Sequence, residues 1–255
     1  MTVYDRLASD FDRQRPLPDG VPEAIRTAVL AALPADPAIA DIGCGAGRIG
    51  WPFAGDNYCA VDFSFGMLRV FAERGLPRAP RLVQADGGRL PFPAAVFDGV
   101  LLVQVLSGTG HWRNLIAEVQ RVLRPGGALF VGQSMAPDDG VDAKMKQHLA
   151  EILEELGENP YQRKSKEDAF GWLDRNADLT VQHVAHWQMS RTPRHFIERH
   201  GTGVRFSALP PPVQTVAMAR LTDWAQTHFG TLDTATPEVQ IFELRIYRFH
   251  QGAKT

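Results

Sequence analysis

The chain has 255 residues, 44% hydrophobic and 22% charged, ordinary values for a soluble globular protein and enough for one large domain, or for a domain with an insertion. A net charge of -2 and an isoelectric point near 6.4 exclude a strongly basic surface for nucleic acid or anionic membrane, and no apolar run approaches the roughly 18 residues of a membrane span. Cys44 and Cys59 form neither a spaced metal motif nor a disulfide framework, and Met1-Thr-Val-Tyr-Asp-Arg-Leu7 lacks the basic-then-apolar order of a secretion signal, so the expectation is a cytoplasmic enzyme without a metal.

Residues 21–33 carry Val21, Ile25, Val29, Leu30 and Leu33 at helical spacing, with Pro22 suited to a first turn. The apolar run at 38–42 predicts a first strand. A helix is expected around 47–54, shortened or bent by Pro52. Tyr58-Cys-Ala-Val-Asp62 reads as a second strand, 64–75 as a helix ended by Gly75 and Pro77, and Arg81-Leu-Val-Gln-Ala85 as a third strand. Residues 97–105 form an apolar run of the kind a parallel sheet buries on both faces. A helix at 111–123 stops at Arg124-Pro-Gly-Gly127, and 128–132 is a fifth strand.

This alternation predicts a doubly wound, mostly parallel α/β sheet. The pattern then changes. Residues 137–176 read as polar and helical, with Ser165-Lys-Glu-Asp168 as a capping box. A strand is expected at 179–188, helices after Thr192-Pro193 and Pro210-Pro-Pro212, and a closing strand at 238–249 with antiparallel pairing. The implied organisation is an N-terminal lid segment (1–20), a core (21–135), a helical cap insertion (136–178), and C-terminal strands (179–255) with further cap helices at 190–232.

The chemistry concentrates in Asp41-Ile-Gly-Cys-Gly-Ala-Gly47. Gly43, Gly45 and Gly47 permit backbone angles closed to residues with a Cβ and let the main chain approach a ligand. Such a turn after a first strand is where α/β sheets bind nucleotide-like ligands. A dinucleotide site spaces its glycines Gly-x-Gly-x-x-Gly; here the spacing is Gly-x-Gly-x-Gly. Asp41 would repel a pyrophosphate and suit a cationic ligand end. Asp62 ends the second strand about 21 residues later, where an acid suits ribose hydroxyls; it also suits a helix N-cap, a role for which Ser64 competes.

This D-x-G-x-G-x-G turn resembles motif I of the type-11, class I methyltransferases that use S-adenosyl-L-methionine and release S-adenosyl-L-homocysteine. Arg121-Val-Leu-Arg-Pro-Gly-Gly127 resembles a second, architectural turn of that family. The likeness covers roughly residues 4–132. It implies a Rossmann-like seven-stranded sheet with an antiparallel C-terminal strand. It also implies contacts to the cofactor from Gly43, Cys44, Gly45 and Gly47. Asp86, after Ala85 and before Gly87, is expected to meet the adenine amine, with Phe63 and Met67 about the base. Gln104 and Val105 are expected beside the methionine part. Tyr4-Asp5 resembles the start of a lid segment in which a Tyr-Asp pair recurs, though Phe11 replaces the second tyrosine; Tyr4, Phe11 and Arg15 would cover the cofactor. His111 is a candidate general base.

The predicted reaction is methyl transfer to a small-molecule acceptor held under the helical cap, mainly by proximity and orientation. Monomer and homodimer both fit. A nicotinamide-dependent oxidoreductase is the alternative, opposed by Asp41 and the glycine spacing; a non-catalytic adenosylmethionine- or adenosylhomocysteine-binding protein is another. In the C-terminal part, Arg191, Arg194 and His195 suggest either an anion contact or a solvated helix face. Trp172, Trp187 and Trp224 suggest either an apolar cavity or core packing.

Overall fold

A computed structural model describes residues 17–106, 111–158, 163–201, 203–250 and 252. The elements are α1 (Val21–Ala31), β1 (Ile39–Ile42), a 3-10 turn (Trp51–Phe53), β2 (Tyr58–Asp62), α2 (Phe65–Ala72), β3 (Arg81–Gln84), β4 (Phe97–Val103), α3 (Trp112–Val122), β5 (Leu123–Met135), α4 (Val141–Glu155), α5 (Arg163–Asn176), β6 (Ala177–Arg191), α6 (Pro193–Gly201), α7 (Val204–Ser207), α8 (Pro211–Phe229) and β7 (Thr236–Phe249). The seven strands lie in the order β3-β2-β1-β4-β5-β7-β6. The pairs from β3 through β5 are parallel, and the C-terminal strands are antiparallel. The doubly wound sheet expected from the alternation is therefore present. Its order reverses between β1 and β4, which places the ligand crevice of such sheets at the carboxyl ends of those two strands.

The chain divides into two compact units. The first comprises residues 1–133, 163–185 and 242–255. Alternation along its strands sends Ala40, Ile42, Val100, Leu102, Leu129 and Val131 into one cluster with Trp112, Leu115, Ile116 and Val119 of α3, and with Ala169 and Leu173 of α5. Burying each Val, Leu or Ile side chain here contributes roughly 1.5–3 kcal/mol. On the opposite face Gly99 leaves room for Leu33, whose Cδ1 would lie 2.7 Å from an added Cβ. The second unit, residues 134–162 and 186–241, has its own core of Val141, Met145, Leu149, Leu153, Phe196 and Leu221.

Four local expectations change. The helix predicted at 47–54 is a single 3-10 turn, because Gly47 holds a positive φ, Gly50 precedes the turn and Pro52 supplies no N–H. The fifth strand runs from Leu123 to Met135 rather than 128–132. The expected capping box lies inside α5, which begins at Arg163, ahead of Ser165. And α5, read from sequence as part of a polar insertion, falls in the sheet-bearing unit through Ala169 and Leu173.

Arg121 shows why its turn is architectural. Its guanidinium donates to the Leu90 and Phe92 carbonyls at 3.1 and 2.7 Å and to both Glu118 oxygens at 2.7 Å. The other Glu118 bond comes from the Leu90 N–H, so the pair clamps the β3–β4 connection onto α3. Arg121→Met is expected to destabilise the protein by about 1–3 kcal/mol, since buried carbonyls lose their donors. Breaking the exposed Arg69–Glu73 pair with Arg69→Met should cost under about 1 kcal/mol. Urea unfolding of the two variants checks this, and equal losses would refute the clamp.

Candidate functional site

The turn after β1 is built from three glycines with different reasons. Each has a positive φ, +74° at Gly43, +55° at Gly45 and +77° at Gly47. An added Cβ at Gly43 would come within 2.6 Å of Val105 Cγ2, and one at Gly47 would overlap the Phe71 ring. At Gly45 a Cβ would meet nothing within 4 Å. Two glycines thus let the turn pack, while the middle one opens onto space.

Asp62, at the carboxyl end of β2, ties this turn to the next one. Its Oδ2 accepts the Gly45 N–H and its Oδ1 accepts the Ser64 N–H, both at 2.9 Å. These bonds fix the plane of a carboxylate that is 7% exposed. Ser64 takes the N-cap of α2, accepting from the Met67 N–H at 3.2 Å. Asp62 is therefore relieved of capping through its neighbour. A carboxylate has about four lone-pair directions, the acceptor chemistry that paired hydroxyls require.

Asp41 is 3% exposed and faces inward. The Tyr58 hydroxyl donates to its Oδ2 at 2.7 Å, and an added Cβ on Gly50 would lie 2.9 Å from that oxygen. Burial pushes the Asp41 carboxyl up to about 7, the Tyr58 hydrogen bond opposes this, and the Asp62 charge adds to the rise. Tyr58 escaped the sequence reading. The β1–β2 register pairs Ile39 with Tyr58 and Asp41 with Ala60, so Tyr58 is diagonal to Asp41, and only the paired strands reveal it.

Phe63 is 47% exposed just beyond Asp62, whereas Met67 is buried against Ala46 beside Val70. The Ala85 N–H donates to the Asp62 carbonyl, bringing the ends of β2 and β3 together. Asp86 is exposed and its Oδ1 accepts the Gly88 N–H at 2.8 Å, an Asx-type turn. Gly87 fits where an added Cβ would crowd Leu115 and Ile42. Gln104 ends β4 with φ +58°, an uncommon conformation for a residue with a side chain. Its N–H bonds to the Gly132 carbonyl and its Oε1 accepts from Arg48 at 3.2 Å.

The structure thus brings together residues 43–47, Asp62, Phe63 and Ala85 in unit one, with Val105 against Gly43. Cys44 is half-buried in the turn, and burial raises its thiol well above the ordinary range. His111 is exposed at the N-cap of α3 and makes no side-chain capping bond. Tyr4, Phe11 and Arg15 lie outside the described residues. Among the described residues no group of three or more His, Cys, Asp or Glu is arranged to hold a metal.

The C-terminal charges resolve into ion pairs. Arg194 meets Asp233 at 2.6 Å on the surface. Arg191 and Arg199, mostly buried rather than on a solvated face, converge on Asp142 at 3.4 and 2.7 Å. Trp172 lies beside Trp112 and Phe249 in the first unit, and Trp224 stacks on His148 and His228 in the second. Trp187 is half-buried on β6.

Residues 40–131 match the model of a family described as a methyltransferase domain. Curated relatives include a demethylmenaquinone methyltransferase of Streptomyces griseus, 33% identical over 141 residues that cover 53% of this chain and 60% of that protein. Another, from Mycobacterium tuberculosis, is 31% identical over 152 residues, 59% of each chain. The chain therefore spans about 60% of the length of these relatives. Among solved structures, the YcgJ protein of Bacillus subtilis aligns with a TM-score of 0.56 at 21% identity, over 90% of this chain and 99% of that one. Phosphoethanolamine N-methyltransferase 2 of Haemonchus contortus, solved with phosphomonomethylethanolamine and S-adenosylhomocysteine, aligns with a TM-score of 0.51 at 16% identity, over 96% and 58%. Both are likenesses of fold.

The Asp41 environment sets a pH dependence. An unfolded carboxyl ionises near 3.9, and the folded one holds its proton to about 7. The folded state then binds more protons across that window, so the Asp41 contribution to stability is full below about pH 4 and is lost as pH rises through 7. Relative to Asp41→Asn, which cannot ionise, the wild-type protein should lose on the order of 2–4 kcal/mol between pH 4 and 8. Urea unfolding at a series of pH values measures the difference. Parallel curves for the two proteins would show that the carboxyl ionises normally.

Proposed function

From the methyltransferase domain at residues 40–131, we propose that this chain transfers a methyl group from S-adenosylmethionine to a small-molecule acceptor. The observation that carries the reading is the turn after β1: open space at Gly45, bordered by an Asp62 carboxylate whose orientation two backbone amides fix. That combination fits a nucleoside whose ribose donates two hydroxyls, and the Asp62 carboxylate itself would repel a pyrophosphate.

In this reading Gly43, Cys44, Gly45 and Gly47 admit the methionine part to the main chain, with Gln104 and Val105 on its other side. Asp62 accepts from the ribose. Phe63 stacks on the base, and Met67 supports the turn by packing against Ala46. Asp86 accepts from the adenine amine beside Ala85 and Gly87. Asp41, when ionised, places a negative charge close behind the turn and favours a cationic ligand. When bound, the cofactor supplies a methyl group already activated on a sulfonium. The protein's own share is then to align the acceptor and exclude water, with His111 as the candidate proton acceptor.

The names of the curated relatives make demethylmenaquinone the first acceptor to assay. Calorimetry with S-adenosylhomocysteine and with NADH tests the cofactor. Binding of the first is expected, and Asp62→Ala should weaken it by about 1–3 kcal/mol, the cost of leaving the ribose hydroxyls unpaired. Heat with NADH and none with S-adenosylhomocysteine would overturn the proposal. Tight binding with no transfer of labelled methyl to any of a broad acceptor panel would favour a non-catalytic binding protein.

A further inference from the structure

A half-buried lysine near the carboxyl end of β5 meets a neutral amide in place of a counter-ion among the described residues. Lys166, on α5, donates to the Gln133 Oε1 at 3.0 Å and lies 5.5 Å from the Phe170 ring centroid. Among the described residues it makes no ion pair. A buried ammonium is costly unless a charge of opposite sign meets it, and one neutral amide leaves most of that cost standing.

The nearby carboxylate is committed elsewhere. Glu243 Oε1 accepts from Arg245 Nε at 2.9 Å and from Gln133 Nε2 at 3.0 Å, while its Oε2 faces His183 at 3.7 Å. Gln133 stands between Glu243 and Lys166, presenting its amine to the acid and its carbonyl to the cation. Arg245, whose guanidinium carbon lies 5.0 Å from the Phe170 ring centroid, adds positive charge. Burial and then Arg245 hold the Lys166 ammonium below its ordinary pKa, against Glu243 and Glu167. All of these groups belong to the first unit.

Their place in the sheet gives the lysine a use. Gln133 follows Gly132, whose carbonyl receives the N–H of Gln104 at the end of β4. Leu129, Val131, Gln133 and Met135 alternate onto one face of β5, so Gln133 is a polar position in an otherwise apolar register near the strand's carboxyl end. That end adjoins the crevice between β1 and β4. We propose that Lys166, oriented by Gln133, binds an anionic oxygen of the acceptor, a carboxylate or an ionised hydroxyl. This rests on the methyltransferase reading and narrows its acceptor to molecules that carry such an oxygen.

The test compares 1-naphthoate with its neutral counterpart 1-naphthamide by calorimetry, with and without S-adenosylhomocysteine, on the full chain. The wild-type protein is expected to prefer the anion by roughly tenfold or more, the range of a charge-assisted contact. Lys166→Met should abolish the preference, Lys166→Arg should keep most of it, and Lys144→Met, at an exposed lysine of the second unit, should leave it intact. Lys166→Gln serves if the Met variant unfolds. Adenosylhomocysteine affinity should stay within about twofold throughout. A wild-type protein with no preference, or a Lys166→Met protein that retains it, overturns the proposal, as would loss of preference in Lys144→Met. Absence of adenosylhomocysteine binding would instead sink the methyltransferase reading, while the arms without it still decide Lys166.

Discussion

The site depends on the two hydrogen bonds that Asp62 accepts from Gly45 and Ser64. They join the turn after β1 to the turn after β2, so the two loops share one anchor. The same carboxylate is the group we propose to meet the ligand's hydroxyls. Hydrogen bonds from main-chain amides to an ionised acid are among the stronger ones available to a protein. They hold the acid in place before any ligand arrives, which lowers the ordering cost of binding. The remaining features of the turn follow from this tie: Gly43 and Gly47 yield to Val105 and Phe71, and Ser64 relieves Asp62 of the helix cap.

Two carboxylates near one turn illustrate opposite solutions to the same problem. Asp62 stays at the crevice, stabilised by amide donors. Asp41 sits in the interior, paired to the Tyr58 hydroxyl, and burial raises its proton affinity. Together they let a strongly acidic motif coexist without two full charges in one small volume, since repulsion between them favours protonating the more buried one.

The sheet was legible because burial on both faces leaves continuous apolar runs, and because the acids and glycines sit at strand ends where periodicity stops. The 3-10 turn was less so: a helix-compatible pattern at 47–54 competes with Gly47, Gly50 and Pro52, and only the final backbone decides. The sequence of α5 reads as a polar insertion because Ala169 and Leu173 are a thin apolar stripe in a charged helix. Of the candidate site, the glycine turn and the strand-end acids Asp41 and Asp62 sit in contiguous motifs that the sequence displays. Tyr58 and Gln133 do not, because each acts through a partner on another element. Lys166 and Gln133 are 33 positions apart, and no local spacing couples them.

The sheet order carries a cost during synthesis. β6 joins the sheet through β7, which sits between it and β5, yet β7 is the last strand made. Until residues 236–249 emerge, β5 and β6 both have an edge without its eventual neighbour, and β6 carries Leu179 and Val181 at 38% and 46% exposure even in the finished protein. Such long-range closure is slow, and open strand edges invite pairing with other chains. The nascent polypeptide thus passes through an aggregation-prone interval that lasts until β7 slots between two waiting strands.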